Sequence, residues 1–149
     1  MKWVRKASLA ILIVFIALQF IQPDRNKSGQ VLPTDITNVY SVPENITVFL
    51  KNACYDCHSN NTRYPWYTNI QPVGWLLAYH IKRGKAVLNF SDFGSYTARR
   101  QMSKLRAIEN SLKDGSMPLS SYTFVHKNAR LSKEDKTTII DWITKLKII

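Results

Sequence analysis

The sequence has very little cysteine: Cys54 and Cys57 are the only two in 149 residues. A four-cysteine zinc site is therefore excluded, because no second pair exists. Anionic side chains are also scarce. Ten Asp and Glu face 21 Lys and Arg, for a net charge of +11. The deficit leaves a basic surface, suited to steering an acidic partner or approaching an anionic membrane. The cations are scattered, with no dense cluster and no known binding motif, which argues against nucleic acid. No internal repeat is evident. The length fits one domain plus appendages.

Both cysteines fall in one pentapeptide, Cys54-Tyr55-Asp56-Cys57-His58. This is the C-x-x-C-H pattern of covalent haem attachment. Two thiols add across two vinyl groups, and the two-residue gap sets both sulfurs along one edge of the macrocycle. The histidine that follows can turn beneath the ring and ligate iron from the proximal side. Three other readings compete. A redox dithiol expects a βαβ surrounding, and the flanks do not alternate strand and helix. A zinc site built on Cys54, Cys57 and His58 would still need a fourth ligand. A structural disulfide is the third.

Lys2, Arg5 and Lys6 precede an uncharged run from Ala7 to Ile21. This fits the charged and apolar regions of an export signal. No small-x-small cleavage site follows, so a retained membrane anchor is expected over residues 1–22, with cleavage the alternative. The cations should stay cytoplasmic and the rest be exported. Residues 23–42 are polar and turn-prone and read as a linker. The haem-binding domain is then expected over 43–149.

Within it, Pro43 opens a helix with Ile46, Phe49, Leu50 and Ala53 on one face. Tyr64, Trp66 and Tyr67 are expected to wall one side of the macrocycle. A second helix is predicted from Pro72 to Arg83, with Val73, Leu76, Leu77 and His80 inward and Gly84 as its C-cap. A third runs from about Ser95 to Asp114 and is ended by Gly115. Met117-Pro118 then sits on a loop between helices, placed like a distal thioether ligand stiffened by proline. His80 and His126 compete with Met117 for that sixth position. Ser132 and Asp135 signal the start of a last helix carrying Ile139, Ile140, Trp142, Ile143 and Leu146, which should cross the first.

The sequence resembles the bacterial haem-binding domain family, small exported c-type cytochrome-like modules. The resemblance runs from about Leu32 to Lys145. It rests on Cys54 through Asn60, Tyr64-Pro65-Trp66-Tyr67, Pro72-Val73-Gly74-Trp75 with His80 and Gly84, and Asn89-Phe90-Ser91. Met117-Pro118 with Tyr122 and His126, and Leu131 through Trp142, complete it. It implies one covalent haem c on Cys54 and Cys57, with His58 as proximal iron ligand, and it supports Met117 as the distal one. The expectation is an all-α, cytochrome c-like domain wrapped around that haem and preceded by a membrane anchor helix. It would carry single electrons between redox partners at the periplasmic side of the inner membrane. It would act as a carrier and not as an enzyme. A haem-based gas sensor and, behind it, a haem peroxidase are the alternatives.

Overall fold

Local signals bound several of the helices. In a computed structural model of the protein, which describes residues 1–147, Pro43 stands at the N-cap of α3 (Glu44–Ala53) with Glu44 in the first turn. That placement suits proline's fixed φ and the positive end of the helix dipole. The Thr97 hydroxyl accepts the Arg100 N–H to start α6 (Ala98–Asp114), and Gly115 ends it at φ 74°. Ser132 and Asp135 form a reciprocal capping box on α8 (Lys133–Leu146). Among the described residues there is no β-strand, only a single bridge between Lys27 and Asn61.

The core lies where α8 packs on α6 and crosses α3. Ile46 and Leu50 of α3, Leu105 and Leu112 of α6, and Ile139, Trp142 and Ile143 of α8 meet there. Leu88, Phe90 and Phe93 enter the same cluster from the stretch before α6. Phe90 and Phe93 are fully buried, each stabilising the fold by about 2 kcal/mol on area grounds.

Three expectations are corrected. The first concerns α1 (Lys2–Leu18), which has 17 residues. At 1.5 Å per residue it is about 25 Å long, short of the roughly 30 Å hydrocarbon core. Its first turns also carry Lys2, Arg5 and Lys6. Among the described residues no helix is long and apolar enough to cross a membrane. The end of α1 is tied to the domain: the Gln71 N–H donates to Gln19 Oε1 at 2.8 Å and the Trp75 indole N–H to the Ile21 carbonyl at 2.9 Å.

The second concerns residues 23–42, which are packed and not a linker. Asp35 caps the short α2 (Ile36–Val39), whose Ile36 is fully buried. The Asn26 amide donates to the Ser59 carbonyl at 2.8 Å and to Thr62 Oγ1 at 2.9 Å. Polar residues that look solvated in sequence are here hydrogen-bonded to the loop after the cysteine motif.

The third concerns α5 (Val73–Val87), which runs through Gly84 instead of ending at it. Gly74 and Ile81 face inward, while Val73 and Leu76 are exposed. The helix turns its smallest residues toward its neighbours because backbone approaches closely there. A Cβ on Gly74 would meet the Thr68 carbonyl oxygen at 2.6 Å, and one on Gly84 would meet that of Cys57 at 2.5 Å.

Candidate functional site

Cys54 ends α3, and the rest of the motif forms the one-turn helix α4 (Tyr55–His58). Helix α5 lies across α4, and the missing side chain at Gly84 permits that approach. The consequence falls on His58. Its Nδ1 faces the Gly84 carbonyl at 3.0 Å and the Leu88 carbonyl at 3.1 Å. Carbonyls only accept, so Nδ1 carries the hydrogen and Nε2 keeps its lone pair. Burial lowers the pKa of His58, against the smaller opposing pull of those two carbonyls. The imidazole is therefore neutral near pH 7, in the tautomer and protonation state a metal ligand needs. The Phe90 N–H donates to the His58 carbonyl at 2.7 Å, and the Phe90 ring meets the imidazole edge-on.

Burial pushes the Cys54 thiol up to about 12, with the neighbouring Cys57 adding to the effect. Burial likewise raises Cys57 to about 11, with the Asp56 carboxylate contributing. A redox-active dithiol needs the opposite shift, so this environment does not favour that reading. The zinc reading also lacks support: among the described residues no group of three or more His, Cys, Asp and Glu could hold a metal ion.

Cys54, Cys57 and His58 open onto a mostly apolar cleft of about 260 Å³, shared with His80, Arg83, Gly84, Met117 and Tyr122. A second cleft of about 120 Å³ adjoins it, lined by Cys54, His58, Val87, Phe90, Leu112 and Met117 among others. Met117 borders both and is 38 % exposed. Two thiols, a neutral imidazole and a thioether around apolar walls suit a haem.

The remaining candidates separate. His80 lines the larger cleft. His126 does not: its Nε2 accepts the Tyr67 hydroxyl at 2.7 Å, and its Nδ1–H donates to the Tyr122 carbonyl at 3.0 Å. Both His126 nitrogens are thus engaged away from the cleft. The expected aromatic wall is absent too. Trp66 is 75 % exposed, Tyr64 accepts the Asn26 N–H, and Tyr67 serves His126.

Sequence reasoning gave no role to Asp56, one of the two residues between the cysteines. Its side chain is buried; Oδ1 accepts the Arg63 N–H and Nε–H, both at 3.1 Å, and Oδ2 accepts the Tyr122 hydroxyl at 2.6 Å. The only local signal was an acid inside the motif with an arginine seven residues later.

An all-helical domain that sets a neutral histidine and two thiols on an apolar cleft defines a small helical haem protein. Residues 13–145 match the model of the haem-binding domain, and the chain belongs to that family. The match begins well before residue 43, in keeping with the packed 23–42 segment. Over 111 residues, 70 % of this chain, it is 31 % identical to the cytochrome c peroxidase Ccp of Escherichia coli (strain K12). That alignment spans only 24 % of the relative's length. No solved structure matches.

Proposed function

We propose that this chain is a monohaem c-type cytochrome domain that carries single electrons. Cys54 and Cys57 would hold the haem through thioether bonds, with His58 Nε2 and the Met117 sulfur as its iron ligands. A haem bound there supplies reversible one-electron chemistry. The observation that carries the reading is the His58 ring: neutral, held by two carbonyls through Nδ1, with Nε2 free beside two thiols. Clamping the ring in one orientation keeps the ligand from reorganising as charge changes. The cleft walls are mostly apolar, and Met117 stands at its rim.

Export to the periplasm is supported by Lys2, Arg5 and Lys6 followed by an uncharged apolar run, the pattern of an export signal. The net charge of +11 suits an acidic redox partner.

The test is the visible spectrum of protein matured with haem-attachment machinery, in both oxidation states. The oxidised wild type should show the weak far-red band of sulfur ligation. Met117→Ala should lose it and lower the reduction potential. An unchanged spectrum and potential in that variant removes Met117 from the ligand set.

A second reading, peroxide reduction, is favoured by the peroxidase named above and by the exposure of Met117. His80 on the cleft would then serve as the acid–base group. Peroxide turnover well above that of free haem would support it, and turnover equal to free haem would oppose it.

A further inference from the structure

We propose that the hydrogen bond from Tyr122 to Asp56 is a clasp that holds the Met117 loop against the haem motif, making Tyr122 a positioning residue for the sixth ligand. The inference rests on the haem reading above.

The two ends of the clasp differ in rigidity. Asp56 is 6 % exposed and is fixed from several directions. Arg63 grips its carboxylate through backbone and side chain, and the Arg63 guanidinium continues to the Lys51 carbonyl at 3.0 Å. The Thr62 hydroxyl donates to the Asp56 carbonyl at 2.6 Å. Asp56 is thus a fixed post built into the attachment motif itself.

The Met117 side is tied to the haem motif at fewer points. Upstream, the Met117 N–H reaches the Ser111 carbonyl at 3.2 Å. Downstream, α7 (Ser120–Val125) has no side-chain cap and no buried residue. Its link to the motif is the Tyr122 hydroxyl, 2.6 Å from Asp56 Oδ2. Tyr122 also lines the cleft beside Met117, and its ring stacks on His126 at 4.1 Å. Removing one hydroxyl would leave the ring stacked on His126 and α7 held by Arg130 at the Thr123 carbonyl, 2.9 Å away, while cutting the tie between the Met117 loop and the haem motif. A hydrogen bond to a buried carboxylate is strong enough to bias opening of that loop by about tenfold or more.

The experiment compares full-length wild type, Tyr122→Phe, Met117→Ala and the double variant, each matured with haem. Haem staining after denaturing electrophoresis is read first, then the rate of carbon monoxide binding to the reduced proteins. The expected result is covalent haem in all four, slow binding in wild type, and binding about tenfold faster in Tyr122→Phe. In the double variant Tyr122→Phe should add nothing to Met117→Ala. If Tyr122→Phe matures poorly, Asp56→Asn carries the same expectation, since a neutral amide holds the hydroxyl less well. A stained Tyr122→Phe that binds at the wild-type rate overturns the clasp and leaves the haem reading standing. Fast binding by wild type overturns it as well, because no closed sixth site then exists to be held. Absence of stain from wild type overturns the haem reading itself.

Discussion

A methyl group on residue 84 has nowhere to go. Its carbon would lie 2.5 Å from the Cys57 carbonyl oxygen, which is backbone and cannot swing aside. Gly84→Ala should therefore push α5 away from α4, costing about 1–3 kcal/mol. The Gly84 carbonyl would move off His58 Nδ1 at the same time. Thermal denaturation should show the lost stability, and the yield of haem-stained protein should fall with it. A variant that melts and matures like wild type would contradict this account of the helix contact. At this scale the grouping of the two thiols with His58 was legible from spacing alone, and the structure sets all three on one cleft. The role of Gly84 was not. A glycine that ends a helix and one that lets two helices touch look alike in sequence. The atom that decides, the Cys57 carbonyl oxygen, belongs to another helix.

Among the elements, the end of α6 and the start of α8 were readable because their signals are local, whereas α6 starts at its Thr97 cap, later than the Ser95 expected. Thr97, Gly115, Ser132 and Asp135 act within one turn of the helix end they fix. Ser132→Ala should remove the hydroxyl that accepts the Asp135 N–H at 3.0 Å and cost about 1 kcal/mol. The melting temperature would fall by a few degrees. A shift within error would mean that tertiary packing alone holds the end of α8.

Glu109 of α6 pairs with Lys113 and with Lys147, which follows α8. Hydrogen bonds from those two lysines lower the Glu109 pKa from the ordinary 4.5 to about 2. The contribution is therefore present above pH 4.5 and is lost as the pH falls toward 2. Glu109→Gln should flatten that part of the curve of melting temperature against pH, and an unaltered acid limb would refute the pairing. The register of α5 was misread because the apolar periodicity of Val73, Leu76 and Leu77 pointed to an inward face. Close backbone approach at Gly74 and Gly84 outweighed that pattern.

For the whole molecule, the haem domain is larger than its motif-bearing part suggested. Residues 23–42 pack on the loop after His58, and Ile36 joins the core. Their polarity hid this, since side-chain hydrogen bonds leave no hydrophobic period to read. A truncation beginning at residue 43 should melt well below the full chain, having lost Ile36 and the Asp35 contact with the Tyr55 hydroxyl. The cluster of motifs across the chain made the family legible; the route by which electrons arrive and leave carries no such signature.

The central claim is that Cys54 and Cys57 bond covalently to one haem. The most direct measurement is the intact mass of the chain, purified from a maturation-competent host and extracted with acidified acetone. Polypeptide plus one haem is the expected mass, reduced to the bare polypeptide when both cysteines are replaced by serine. A wild-type chain at the bare polypeptide mass, with the pigment left in the acetone, would contradict it.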